Sequence, residues 1–224
     1  VTMPQGEHSD GSASGLSVTQ KVLAELRHDI VTARLAPGQI IREAEIAERM
    51  FVSKTPVREA LQFLLAEGFV QVFPRRGYMV TPVSLTDIRN IMNLRLYIEP
   101  PLTAVAAKRP SEQLLERLRE CLAIQLDESL SDDLRLDAAS DFHRSIMSVA
   151  RNERAEKLLR TYYDETTRIH YLFEEASAHV TSQEELIAHR QILDAIERGD
   201  AEAAENGMRE HLIESNTALL KSFQ

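Results

Sequence analysis

The chain of 224 residues has room for one large or two ordinary domains, and 43% hydrophobic with 27% charged residues is the composition of a soluble globular protein. The single cysteine, Cys121, excludes an intramolecular disulfide, no apolar run approaches the roughly 18 residues of a membrane span, and no signal-peptide core is found, so a cytoplasmic protein without a membrane partner is expected. A net charge of −9 argues against bulk attraction to nucleic acid, but residues 1–83 hold 9 Lys and Arg against 9 Asp and Glu, which places the whole acidic excess on residues 84–224.

Residues 1–15, rich in Ser and Gly, read as a disordered tail. A first helix is expected from about Thr19 to Ala33, with Val22, Leu23, Leu26, Ile30 and Val31 on one stripe, stopping before the turn signal Pro37-Gly38. Ile40 and Ile41 lead into a short helix from about Glu43 to Met50. After a turn at Phe51-Val52, a third helix opens at Ser53, a good N-cap, with Pro56 in the first turn, where a missing N–H costs little. From that start Lys54, Thr55 and Arg58 project from the N-terminal turn, while Val57, Leu61, Leu64 and Leu65 repeat at helical spacing behind them. One face can bind and the other can pack.

Gly68 ends this helix near Glu67, and two strands at 69–73 and 78–81 flank Pro74-Arg75-Arg76-Gly77, a β-hairpin with a basic tip. A helix-turn-helix followed at once by such a hairpin is a winged helix, which makes Ser53, Lys54, Thr55, Arg58, Arg75, Arg76 and Gly77 candidate contacts to double-stranded DNA. A Lys/Arg pair alone is more often a solvated face; inside a complete winged helix the balance reverses.

Pro82-Val83 mark a linker, and Ser84-Leu85-Thr86-Asp87 opens a region in which every segment has helical period. Helices are expected at about 85–98, with Pro100-Pro101 forcing a kink or break, then 102–108, 112–129, 133–151, 153–179, 183–198 opened by Ser182-Gln183-Glu184-Glu185, and 201–222 opened by Asp200. The fold class is therefore mainly α: a winged helix-turn-helix over 16–83 and an all-α antiparallel bundle over 84–224.

Three histidines of the bundle sit on apolar stripes: His143 with Ala139, Ile146, Met147 and Ala150; His189 with Leu186, Leu193 and Ile196; His211 with Gly207, Met208 and Ala218. A lone inward histidine is usually a hydrogen-bonded core residue, but imidazoles from three helices converging in a bundle make a transition-metal site with open positions. Arg95 shares a stripe with Ile91, Leu94 and Ile98, and a buried guanidinium needs an anion. Glu99 at i+4 or the carboxylate of a ligand could supply it. His8, His28, His170 and His179 lack such company and read as surface or core residues.

Pro37-Gly38, Glu45-Ile46-Ala47, the Val52 to Leu61 run, Gly68 and Arg76-Gly77 together resemble the winged-helix domain of GntR-type bacterial transcription regulators. Arg95, Glu99, Phe142-His143, Asn152, the Glu185 to Asp200 segment with His189, and His211 are similar to the FCD domain of the FadR subfamily. The resemblance implies a metabolite-responsive repressor: a homodimer on a pseudo-palindromic operator, with Lys54, Thr55 and Arg58 in contact with DNA and the wing contributing. It further implies release by a small carboxylate effector, clamped by Arg95 beside a divalent transition metal, zinc or nickel, held by His143, His189 and His211.

The sequence departs from the family twice. Lys54 stands where arginine is usual, which keeps the charge but loses the fork that reads guanine bidentately. Ala139 stands where an aspartate, one turn before the first histidine, usually completes the metal site; Asp137 and Asp141 do not share His143's face, so the fourth protein ligand is expected to be absent. Two other readings stay open: a structural metal or none, with an apolar acyl effector, and a three-histidine metalloenzyme, although no general base stands at a suggestive spacing.

Overall fold

The structure is a computed structural model that describes residues 15–150 and 153–221. The expected tail, apart from Gly15, lies outside the described residues, as do His8 and Asn152. Helix α1 (Val18–Val31) opens with a capping box in which Ser17 and Gln20 satisfy each other's backbone N–H. It packs Val22, Leu26 and Ile30 against Val57, Ala60, Leu61 and Leu64 of α3 (Lys54–Ala66), with Ile46 and Ala47 of α2 (Glu43–Arg49) closing the same core. Leu65, expected on the packed stripe, is 36% exposed, because it lies at the edge of the arc that Val57, Ala60, Leu61 and Leu64 already fill.

Ile40 and Ile41 do more than lead into α2. They form a strand, β1 (Ile40–Ile41), paired antiparallel with β3 (Gly77–Val80), which also pairs with β2 (Val70–Phe73), giving the order β1-β3-β2. The hairpin register runs from Val70 opposite Val80 to Phe73 opposite Gly77. At the tip Arg75 adopts φ +64° and Gly77 φ +107°. A Cβ on Gly77 would lie 2.7 Å from the carbonyl oxygen of Ile41, so β1 can reach the sheet only past a glycine.

The remainder is helical: α4 (Leu85–Lys108), α5 (Glu112–Leu126), α6 (Asp132–Met147), α7 (Glu153–Leu172), α8 (Glu174–Val180), α9 (Gln183–Glu197) and α10 (Ala201–Lys221). Ser84, Ser111, Ser131 and Ser182 cap α4, α5, α6 and α9, and Asp200 caps α10 through the N–H of Ala203. The break expected at Pro100-Pro101 does not occur; α4 runs through both prolines. Proline already holds a helical φ, and Met92, Glu99, Thr103, Ala104 and Ala107 are buried along one side of the helix, so packing against α10 and α6 outweighs the lost donors.

The expected helix 153–179 is two helices, because Phe173 is extended (φ −126°, ψ 114°) and turns the chain between α7 and α8. The expected 133–151 helix ends at Met147 in a 3-10 turn over Ser148–Ala150, and 112–129 stops at Leu126, where Asp127 accepts from Ser129 instead. Leu118, Phe142, Ile146, Tyr163, Ile192 and Met208 are at the centre of the bundle. No helix among the described residues is long and apolar enough to cross a membrane.

Gly77→Ala should destabilise the winged-helix part by about 1–3 kcal/mol in urea unfolding, since it combines a strained φ with a clash against a backbone carbonyl.

Candidate nucleic-acid interface and metal centre

Ser53 has the extended backbone of an N-cap (φ −73°, ψ 166°), but its hydroxyl makes no capping bond. Lys54, Thr55 and Arg58 are exposed at the start of α3, as are Arg75 and Arg76 on the wing. Arg58 is 60% exposed yet oriented: its Nε lies 3.0 and 3.2 Å from the two carboxylate oxygens of Glu43, and its NH2 2.8 Å from Oε2. The bond to Arg58 holds the Glu43 carboxyl below the usual range. Arg76 lies over the Phe73 ring, 5.7 Å from its centroid, which stiffens the wing tip. Gly77 is tied to the sheet by the close approach of Ile41, so its place in the sequence has a backbone reason whether or not it touches DNA.

The three stripe histidines do converge. His143 of α6, His189 of α9 and His211 of α10 are all buried, and the Nε2 of His143 lies 3.1 Å from that of His189 and 3.2 Å from that of His211. The other ring nitrogens fix two of the tautomers. His143 Nδ1 donates to Glu99 Oε2 at 2.6 Å. Burial would raise the Glu99 carboxyl, but Arg95 and His143 hold it well below the usual range, so it is an acceptor.

His189 Nδ1 donates to Gln125 Oε1 at 2.8 Å, and the amide's orientation follows from its Nε2, which donates to the carbonyls of Cys121 and Ala138. Both Nε2 atoms therefore carry lone pairs, and lone pairs facing each other at 3.1 Å repel unless a cation lies between them. Nitrogens bound to one metal at ~2.1 Å with tetrahedral or octahedral angles are separated by about 3.0–3.4 Å, the spacing observed here. The donor set fits a divalent transition metal.

A fourth group lies in the cluster. Glu185, one turn before His189 on α9, is buried with Oε1 3.3 Å from His189 Nε2, and the ligand atoms of His143, Glu185, His189 and His211 all lie within 4.8 Å of one another. Burial opposes its ionisation, and the carboxylate form is favoured only where positive charge on His211, His189 or a bound cation offsets that cost. Sequence reasoning missed Glu185 because Ser182-Gln183-Glu184-Glu185 reads as a cap; Ser182 does cap the Glu185 N–H, while the Glu185 side chain turns inward. Its place four residues before His189 was the signal available. Asp137 and Asp141 point elsewhere, to Tyr171 and Arg117.

Arg95 is buried against Glu99 (Nε to Oε1, 2.7 Å), which also accepts from Tyr162 Oη at 2.7 Å. It shares its face with Ile88, Met92 and Glu99, whereas Leu94, expected on that stripe, is 42% exposed. The guanidinium also lines a cavity of about 20 Å³, together with His143, Ala139, Glu185, Tyr163, His170 and His179. His170 and His179, read from sequence as lacking company, thus belong to the same site. Tyr163 Oη and His170 Nδ1 are buried without a hydrogen-bond partner. On another side of α7, Asp164 pairs with Arg27 of α1 at 3.1 Å, and Arg168 donates to the carbonyl of Thr81 at 2.6 Å. The helix that walls the cavity thereby holds the winged helix.

The description "Bacterial regulatory proteins, gntR family" matches residues 18–80, and "FCD domain" matches residues 90–214. The chain belongs to the gntR family of transcription regulators. The HTH-type transcriptional repressor RspR of Escherichia coli is 30% identical to this regulator over 201 residues, covering 88% of the chain and 86% of that protein. A probable D-xylose utilization operon transcriptional repressor of Paenarthrobacter nicotinovorans is 28% identical, with 89% and 90% covered. Two solved structures share the fold. E. coli McbR/YncC has a TM-score of 0.81 at 21% identity, covering 94% of this chain and all of that one; a GntR-type regulator from Rhodococcus sp. RHA1 has 0.80 at 24%, covering 92% and 99%. GntR-family regulators with an FCD domain are DNA-binding proteins and not enzymes, which removes the metalloenzyme reading.

Burial holds His143, His170 and His211 of this regulator below the ordinary imidazole range, His170 pushed down to about 3. The unfolded chain takes up these protons near pH 6.5, so the unfolded state binds more protons below that value, and stability, full above it, falls with acidification. In chelator-treated protein, urea unfolding should show this loss between pH 7 and 5, and His170→Leu should remove about 2 kcal/mol of it.

Proposed function

We propose that this regulator is a homodimeric repressor that leaves double-stranded operator DNA when a small carboxylate binds beside a divalent metal in its helical bundle. In this reading residues 16–83 bind DNA, residues 84–224 bind effector and dimerise, and 1–15 form a tail. The observation that carries it is the convergence of three imidazole Nε2 atoms, two of them with lone pairs fixed by Glu99 and Gln125, beside a cavity that His143 and the buried guanidinium of Arg95 both line. A metal such as zinc or nickel on His143, His189 and His211 would supply positive charge and open positions for an acid.

Arg95 pairs with Glu99 and would also serve the effector. Glu99 takes its Nε–H, and the guanidinium still borders the cavity, where it would attract the effector's carboxylate. The cavity of about 20 Å³ holds about one water, so any effector would have to move its walls, and a compact acid would move them less than an acyl chain. The names of RspR and the D-xylose regulator, both called repressors, support the sign of regulation.

On DNA, Lys54, Thr55 and Arg58 would enter the major groove with Ser53 at the helix start, and Arg75, Arg76 and Gly77 would follow the adjacent backbone. Glu43 presets the Arg58 fork, and lysine at 54 contributes charge with little geometric discrimination.

Two outcomes test this. The Lys54→Ala, Arg58→Ala double variant should bind operator at least about 30-fold more weakly in fluorescence anisotropy, with the salt dependence reduced by about two units of slope; wild-type affinity would contradict the interface. Protein purified without added metal should carry zinc or nickel by elemental analysis, and His189→Ala should carry almost none. Melting temperatures should then rise with small carboxylates only when no chelator is present; equal negligible metal in both proteins would remove the metal from the mechanism.

A further inference from the structure

We infer that Glu185 is the carboxylate ligand of the metal, supplied from α9 in place of a residue at position 139. The inference rests on the metal reading above and concerns which side chain completes the site.

The two carboxylate oxygens of Glu185 have different surroundings. Oε1 faces His189 Nε2 at 3.3 Å, within the separation of about 3.0–3.4 Å that two ligands of one metal keep. Oε2 is turned the other way: Ser215 Oγ donates to it at 3.3 Å, and His179 Nε2 and His211 Nδ1 lie 3.4 and 3.5 Å away. That is the pattern of a monodentate ligand whose second oxygen is anchored by an outer shell. No lysine or arginine pairs with Glu185 among the described residues; its carboxyl group meets imidazoles and a hydroxyl.

Ala139, one turn before His143 on α6, lines the same cavity as Glu185 and offers a methyl group where a carboxylate could have reached the cluster. Glu185 comes instead from the turn before His189. With Glu185 supplied from α9, the methyl group of Ala139 would leave the α6 side of the cavity open to an incoming acid.

Zinc affinity by competition with a chromophoric chelator tests the assignment. Loss of an outer-shell partner costs about 10–100-fold, so Glu185→Gln should weaken zinc binding by about 100-fold or more. Ala139→Asp in the Glu185→Gln background should recover at least tenfold of the loss. The visible spectrum of the cobalt(II)-loaded protein should change between wild type and Glu185→Gln, and chelator-treated samples compared by thermal melting separate metal loss from unfolding. Wild-type zinc affinity and an unchanged cobalt spectrum in Glu185→Gln would overturn the ligand role alone; a wild-type protein that binds no zinc or cobalt would overturn the metal reading itself.

Discussion

The helical bundle is organised around a repulsion. Two imidazole lone pairs, directed at each other at 3.1 Å between buried side chains, are an arrangement that folding alone would not favour, because each would rather meet a donor. The directions are imposed from outside: Glu99 and Gln125 each take the Nδ1 proton of one ring, and both acceptors are themselves held, Glu99 by Arg95 and Tyr162, Gln125 by two backbone carbonyls. Four helices, α4, α5, α7 and α6, thus contribute to orienting rings on α6 and α9. A divalent cation held between the two nitrogens would turn the repulsion into coordination.

The same accounting explains why Arg95 is buried. Its bond to Glu99 keeps that carboxylate ionised, the ionised carboxylate keeps His143 in one tautomer, and that tautomer leaves Nε2 free. An arginine expected from sequence to clamp an effector is therefore also part of the frame of the histidine cluster. Replacing it would disturb imidazole orientation before it disturbed any ligand, so its two roles are separable only by variants that spare Glu99.

Much of this was legible in the sequence. The winged helix followed from Ser53, Pro56, Gly68 and the basic hairpin, because each acts locally on the backbone, and the three histidines followed from their stripes. What was missed depended on tertiary context. Two prolines in α4 were tolerated because burial on both sides of them outweighed two lost donors. The turn at Phe173 left no mark, since the periodicity continues on either side of it. Two residues at 40–41 became a strand only because β3 was available beside them. Glu185 was hidden behind a plausible cap, and His170 and His179 acquired company from helices far away in sequence.

Helix α7 deserves a mechanical reading. Tyr163 and His170 look into the cavity, while Asp164 and Arg168, on neighbouring turns, grip α1 and the end of the wing. Successive residues on a helix are about 100° apart, so one rigid rod presents both sets, and neither can be displaced without carrying the other. Rotation about its axis would act as a crank: a shift at the cavity wall would be carried to the Arg27 and Thr81 anchor points, and the winged helix beyond them would work as a lever arm.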